Sequence, residues 1–245
     1  MDPATYEVEA EIEASHWWFK GRRRLFRDIL QGLDLPKDAR ILDVGVGTGA
    51  NLRMLRDLGF TNVTGIDNND LALEFCRQKG LGPVDQGDIC HLPFPDGNFD
   101  LALVTDILEH VDDDGLALAE IHRVLDRGGK AIITVPAFPI LWGLQDRVSQ
   151  HKRRYRMVGL VDRVKSAGLI CRESFHFNYV LFLPILFARG VIRWFKPNLK
   201  SENQVNTPVL NSILTGVFAF DVVTSRRLSP PFGVSILILA ERPSP

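Results

Sequence analysis

The chain has 245 residues, of which 45% are hydrophobic, enough to bury the core of one α/β unit. Its formal net charge of −1 lacks the basic excess that nucleic-acid binding calls for. Cys76, Cys90 and Cys171 are odd in number and not closely paired, and the stretch from Met1 to Glu7 is acidic rather than signal-like. Both features lead to the expectation of a cytoplasmic protein.

In chain order, the first element expected is an N-terminal helix, with Glu7, Glu9, Glu11 and Glu13 running into His16-Trp17-Trp18-Phe19-Lys20-Gly21-Arg22-Arg23-Arg24. Three adjacent aromatics in a chain that is 9% aromatic admit two readings. They form a lid over a bound ligand, with Trp18 against a cationic group and Arg22 or Arg23 against an anionic one. Alternatively they pack against the sheet edge and the arginines are solvated.

Next comes Arg40-Ile41-Leu42-Asp43-Val44-Gly45-Val46-Gly47-Thr48-Gly49, an apolar strand, a glycine-rich turn and the start of an amphipathic helix. Such a turn brings backbone N–H groups close to a ligand at the carboxyl end of a parallel strand. Dinucleotide sites space their glycines as G-x-G-x-x-G. Here they fall at every second residue and Asp43 leads the turn, so a ligand with an ammonium group and no phosphate fits better. S-adenosylmethionine is such a ligand.

Val63-Thr64-Gly65-Ile66-Asp67 is a second strand ending in an acid, placed to accept from ribose hydroxyls, with Asn68 beside it. A third short strand near Val84 precedes Gly87-Asp88-Ile89, a carboxylate and an apolar side chain suited to an adenine. Asp100 to Val104 and Lys130 to Val135 read as the fourth and fifth strands. Apolar residues at helical spacing from Asp113 to Leu125 lie between them, closed at Gly128-Gly129.

These segments carry a resemblance. Leu42 to Gly49, Gly65-Ile66-Asp67, Gly87-Asp88-Ile89 with Leu92-Pro93-Phe94, Phe99-Asp100 through Asp106-Ile107-Leu108-Glu109-His110-Val111, and Arg123 to Gly129 stand in the order and spacing of class I S-adenosylmethionine-dependent methyltransferases. The resemblance covers roughly residues 38 to 140. It implies a Rossmann-like, doubly wound α/β sheet of seven mostly parallel strands with an antiparallel last strand. It also implies a cofactor site drawn from Asp43, Gly45, Gly47, Asp67, Asp88, Ile89 and backbone near Thr105, to which Gly49, Asn68, Trp18 and Arg22 are added as candidates by position. Val46 departs mildly from the Cys or Ala common there. The His-Trp-Trp-Phe opening and His151-x-Arg153-Arg154-Tyr155 resemble a subgroup associated with glycan and lipid-linked sugar assembly.

After the fifth strand, Pro136 to Trp142, Asp146 and His151-Lys152-Arg153-Arg154-Tyr155 follow a strand's carboxyl end and so face the site. Trp142, Arg153 and Arg154 are candidates for holding an anionic or hydroxylated acceptor, unless the cluster is a solvated basic loop. His110, with an unperturbed pKa of about 6.5, and then His151 are the candidate general bases, and Tyr155 the residue to orient the acceptor. A structural histidine is the plainer reading of His110. Asp106, Glu109 and His110 would share one face of a helical turn and form a weak metal candidate. The reading adopted has no metal.

Val158 to Ala167 reads as a helix stopped at Gly168, Leu169 to Phe177 as a strand, and Val234 to Leu239 as the last strand, antiparallel to it. Between them, Tyr179 to Phe195 contains the apolar run Val180 to Ala188, too short to span a bilayer, which needs about 20 residues. Either it covers an apolar acceptor or lies on the inner membrane surface, with Arg189, Arg193 and Lys196 at the headgroups, or it is a buried helix or homodimer contact. Ser201 to Thr207 reads as a flexible loop.

The organisation expected is an N-terminal helical lid at 1–37, a core at 38–178 and 232–245, and an apolar helical insertion at 179–231. The activity expected is methyl transfer, to oxygen, of a small, sugar-linked or lipid-like acceptor. The alternatives are a nicotinamide-dependent oxidoreductase on a related fold and a membrane-surface protein that binds S-adenosylmethionine without turnover.

Overall fold

A computed structural model describes residue 8, residues 10–195 and residues 207–244 of the chain. Glu7, Glu9, Lys196 and most of the expected 201–207 loop lie outside those residues.

Seven strands form one sheet in the order β3-β2-β1-β4-β5-β7-β6. They are β1 (Arg40–Val44), β2 (Asn62–Asp67), β3 (Val84–Gln86), β4 (Phe99–Thr105), β5 (Leu125–Pro136), β6 (Ile170–Phe177) and β7 (Ser235–Glu241). β1 pairs in parallel with β2 and β4, β2 with β3, and β4 with β5. β7 runs antiparallel to β5 and β6. The strand order reverses between β1 and β4, and the carboxyl ends of those two strands open the crevice in which open α/β sheets bind ligands.

Both sheet faces are covered, which explains why β1, β4 and the Ala131–Pro136 half of β5 are almost continuously buried rather than alternating. One face packs Ile41, Leu101, Leu103, Ile132 and Leu237 under α1 (Trp17–Gly32) and α2 (Ala50–Asp57). The other packs Leu42, Ala102, Val104, Ile133 and Ile238 under α4 (Asp114–Val124) and α6 (Met157–Ser166). α3 (Asp70–Gln78) and the short α5 (Leu144–Val148) complete the core. Two further helices, α7 (Phe182–Phe195) and α8 (Pro208–Leu228), stand between β6 and β7.

Three local expectations are corrected. The expected N-terminal helix is interrupted at residues 13–16: residues 10–12 are helical, and α1 begins at Trp17, capped by the His16 ring, which accepts from the Trp18 N–H. The helix after β4 ends at Val124, not at the glycine pair. β5 takes over at Leu125 because Leu125 pairs with Phe99, and the register shift between Phe99 and Leu101 absorbs Gly128-Gly129. The segment from Asp106 to His110 is a turn rather than a helix, with Asp106 at φ 55°, so the helical-face grouping of Asp106, Glu109 and His110 does not arise.

α8 is 21 residues long and, by length and composition alone, apolar enough to cross a membrane. Its inner face is nonetheless spoken for. Phe218, Asp221, Val222 and Ser225 are buried, and Asp221 accepts from the N–H groups of Asn178, Tyr179 and Val180 at 2.7, 2.6 and 3.0 Å. α1 packs on α8 so closely that a Cβ on Gly21 would stand 2.1 Å from the Phe218 ring. Trp18 stacks on Phe218 at 5.5 Å and on Phe177 at 6.2 Å, so the N-terminal aromatics meet a helix and the end of β6.

Candidate functional site

One continuous cavity of about 750 Å³ runs from the carboxyl ends of β1, β2 and β4 to α7 and α8. Its cofactor end is built from backbone. Gly45, Gly47 and Gly49 have φ of 75°, 52° and 85°, conformations that favour glycine. A Cβ on Gly45 would press 2.8 Å from Ile107, whereas one on Gly47 would meet nothing within 4 Å and would enter the cavity. Asp67 ends β2 and accepts from the Gly47 N–H at 3.0 Å through one oxygen and from the Asn69 N–H at 3.0 Å through the other. Burial raises its pKa, while these backbone hydrogen bonds pull it down. A carboxylate so held keeps a lone pair on each oxygen for hydroxyl donors.

Asn68, Asp88, Ile89 and Thr105 also line the cavity. Ile89 is buried, Asp88 is exposed and accepts from the Cys90 N–H, and Thr105 Oγ1 accepts from Asn51 at 3.0 Å. Asp43 is fully buried and sits behind the lining. Its Oδ1 accepts from Asn51 at 3.0 Å, and its Oδ2 has no partner among the described residues. Burial lifts its pKa to about 7, with the Asn51 hydrogen bond opposing, Asp67 adding and Arg22 subtracting. An orphaned acid beneath an open glycine cradle fits a ligand that brings a cation. Gly49 is buried at the start of α2, where its left-handed backbone caps the helix.

The N-terminal segment closes over this end. Trp18 and Arg22 line the cavity. Arg22 pairs with Asp106 at 2.8 Å and lies over the Trp18 and Phe26 rings, which holds Asp106 away from any metal cluster. Glu13 reaches the Thr48 hydroxyl and accepts from Lys79 at 2.7 Å, so residues before α1 are clasped to the glycine turn. Glu13 sits in the acidic run of the sequence but carried no signal that singled it out.

At the acceptor end, His110 and His151 meet edge to face with ring centroids 4.8 Å apart. Burial, then the neighbouring His151, lowers the His110 pKa to about 3, so this ring is neutral at physiological pH. His151 Nδ1 lies 2.9 Å from Asp146 Oδ1. Burial opposes the charge on Asp146. The His151 hydrogen bond, the Arg154 guanidinium and the Gly143 N–H outweigh it and hold the carboxyl well below its ordinary range. An ionised Asp146 accepts only, which assigns the proton to His151 Nδ1 and leaves Nε2 as the free lone pair in the neutral ring. Glu109 is fully buried in the same wall, and neither carboxylate oxygen has a hydrogen-bond partner among the described residues. Burial, then Asp106, raises its pKa well above normal. The sequence offered Glu109 only within the weak metal group with Asp106 and His110, and gave Asp146 no role.

Three sequence expectations are corrected by position. Tyr155 is buried outside the cavity, its hydroxyl 3.0 Å from the Leu108 carbonyl and 2.9 Å from Asp114 Oδ2. Arg153 turns the same way, donating to the Val111 and Asp112 carbonyls and pairing with Asp114 at 3.2 Å. Residues 154–156 run alongside the end of β5, Tyr155 bridging Ala137, so side chains alternate. Arg154 faces the cavity and Arg153 and Tyr155 face away. Trp142 follows the 3-10 turn Pro139–Leu141 and also stays outside the lining.

Residues 42–133 match the family described as a methyltransferase domain. The chain is 32% identical over 136 residues to the chloroplastic 2-methyl-6-phytyl-1,4-hydroquinone methyltransferase of Arabidopsis thaliana, covering 54% of this chain and 39% of that one. It is 31% identical over 189 residues to the sterol 24-C-methyltransferase of Aspergillus fumigatus, covering 72% and 49%. The chain thus spans half or less of the length of these two relatives. In fold it resembles a Haloferax volcanii methyltransferase solved with the Trm112 methyltransferase activator, with a TM-score of 0.67 at 19% identity over 99% of this chain and 96% of that one. The domain match and the seven-stranded fold remove the nicotinamide alternative, and the residues around the glycine turn fit S-adenosylmethionine as the cofactor. Residues 42–133 carry the methyltransferase domain, within the seven-stranded fold of the class I S-adenosylmethionine-dependent methyltransferases.

Proposed function

We propose that the protein transfers a methyl group to an oxygen of a lipid-like or sugar-linked acceptor held between the His110–His151 wall and α7 and α8. The observation that supports this most is the pairing of the buried Asp146 with His151, which lines the cavity. It fixes one tautomer and leaves Nε2 without the proton. When bound, S-adenosylmethionine supplies the sulfonium methyl and leaves as S-adenosylhomocysteine. The acceptor oxygen forms the new O–CH3 bond as the S–CH3 bond breaks, and its proton passes to His151 Nε2. His110, the weaker base because of its lowered pKa, borders the acceptor instead of taking the proton. Trp18 and Arg22 cover the reacting end and exclude water.

A lipid-like acceptor is supported by α7. Ile185, Ala188 and Arg189 line the cavity, while Leu183, Phe187, Val191 and Trp194 form one outward stripe at i, i+4, i+8 and i+11. Their exposures are 65, 76, 39 and 83%. An apolar stripe of this kind suits the face of a membrane, at its inner surface if the protein is cytoplasmic. Arg189, expected at the headgroups, is instead buried. It donates to the Leu141 carbonyl and lies 3.6 Å from Asp146. The side chain of Arg193 lies outside what is described.

The test is transfer of labelled methyl from S-adenosylmethionine into lipid, glycan and small-molecule fractions, followed by identification of the bond formed. An O-methyl product from the lipid or lipid-linked sugar fraction is expected. A product methylated at carbon or nitrogen would overturn the reading.

A further inference from the structure

We propose that Glu109, His110 and His151 bind a single divalent transition-metal ion, of the zinc or cobalt class, whose open coordination position takes the acceptor oxygen. The three residues each present one donor atom, and these atoms lie within 4.8 Å of one another. Ligands at about 2.0–2.2 Å around one tetrahedral ion would stand roughly 3.4 Å apart. His151 Nε2 and Glu109 Oε1, at 3.9 Å, are already near that spacing. Small side-chain rotations close the rest.

Two independent features single this cluster out. Glu109 is fully buried, lines the cavity, and has both oxygens without a hydrogen-bond partner among the described residues. A buried carboxylate left so costs free energy unless something brings it a cation or a donor. His151 is held through Nδ1 by Asp146, the carboxylate–imidazole arrangement that orients a metal ligand and frees Nε2 for the ion. Arg22 and Arg154, which pair with Asp106 and Asp146, also lie close enough to favour the Glu109 charge.

The donor set is two imidazoles and one carboxylate, which favours zinc-like ions over magnesium or calcium, whose ligands are oxygens. Three protein ligands with a fourth position facing a cavity is the pattern of a working site rather than a structural one. This differs from the grouping of Asp106 with Glu109 and His110 and from the expectation of no metal. The third ligand comes from 41 positions further along the chain, and Asp106 is removed by Arg22. The inference rests on the reading of oxygen as the methylated atom in one respect, the occupant of the fourth position. An ion there would acidify a hydroxyl, whose proton would leave to solvent water, and His151 would serve as ligand instead of base.

The experiment is titration of the full-length, chelator-treated protein with Co(II), followed by its visible ligand-field spectrum, and with Zn(II) by calorimetry. One equivalent should bind, with a spectrum of low coordination number. Glu109→Gln and His151→Gln should each weaken binding by about 100-fold or more. His122→Gln, on α4 and outside the cavity, should leave binding unchanged. Affinity for S-adenosylhomocysteine, measured on the same samples, reports that each variant is folded. Absence of saturable Co(II) binding, or binding that persists in Glu109→Gln and His151→Gln, would overturn the proposal. Oxygen methylation by protein that binds no Co(II) would remove the metal alone. Co(II) bound at the cluster with methyl found only on carbon or nitrogen would remove the oxygen reading alone.

Discussion

The two ends of the cavity are made by different means. The cofactor end is backbone geometry: three glycines within five residues, a strand-end acid gripping the Gly47 N–H, and a buried acid below. The acceptor end is side chains from distant segments, with Glu109 and His110 after β4, Asp146 on α5, His151 and Arg154 beyond it, and Arg189 on α7. A backbone site tolerates changes of neighbouring side chains but not of φ. A side-chain site depends on a few buried charges staying matched. Substitutions at the two ends should therefore fail differently, the first in affinity for S-adenosylmethionine and the second in stability and turnover.

The largest effect is expected at Asp146. This buried carboxylate lies 2.9 Å from His151, 2.7 Å from Arg154 and 3.6 Å from Arg189, and accepts from the Gly143 N–H at 2.7 Å. Asp146→Asn keeps the shape but takes one counter-charge from two buried guanidinium groups. The cost should be about 3–5 kcal/mol in denaturant unfolding, because one partner of a buried ionic group is removed. Where the variant is folded, turnover should collapse as His151 loses its fixed tautomer, with S-adenosylhomocysteine affinity retained. Equal loss of both would erase the distinction between the two ends.

Asp43→Asn sharpens the comparison from the other side. The folded, ligand-free chain holds a proton on Asp43 up to a pKa of about 7. The unfolded chain releases it near 3.9. Stability is therefore lost as pH rises through that window, and stays lost above it. The span of three units sets a ceiling of about 4 kcal/mol on the penalty at pH 8. Asp43→Asn should make the protein more stable at pH 8 than the wild type by part of that amount, with little difference near pH 4. The same variant should bind S-adenosylmethionine at least about tenfold more weakly, since the ammonium loses its counter-charge. Parallel loss of stability in both proteins from pH 5 to 8 would show that Asp43 is not the group responsible.

How far each end could be read in the sequence follows from the same contrast. The strand, glycine turn and helix at 40–57 are contiguous, so their alternating glycines and apolar runs announce both the fold and the ligand-facing turn. Asp67 and Ile89 belong to the same logic, the first ending β2 and the second lying three residues past β3. The encounter of His110 with His151 is invisible locally, because it depends on how residues 137–151 fold back over the turn after β4. Lys152 N–H donating to the Glu109 carbonyl at 2.8 Å fixes that fold-back, and backbone hydrogen bonds leave no trace in side-chain pattern. Phe218 was equally hidden. Nothing in an apolar helix says that one ring fits the notch at Gly21.

Tyr155→Phe should have the smallest effect, and it separates the two roles a residue in this loop can have. Alternation along 153–155 sends Arg154 to the cavity and turns Tyr155 to Asp114, which also pairs with Arg153 and Arg163 at 3.2 and 3.1 Å. Burial and the Asp114 hydrogen bond raise the phenol pKa far above its ordinary value, so the hydroxyl stays protonated and donates. Removing it leaves Asp114 with two guanidinium partners, and the loss should be about 1–2 kcal/mol. Turnover and KM for the acceptor should not change. A fall in turnover without a fall in stability would return Tyr155 to the acceptor. It would also mean that the strand-like pairing of Tyr155 with Ala137 is not the conformation in which the enzyme works, because only a flip of that alternation brings the phenol and the cavity together.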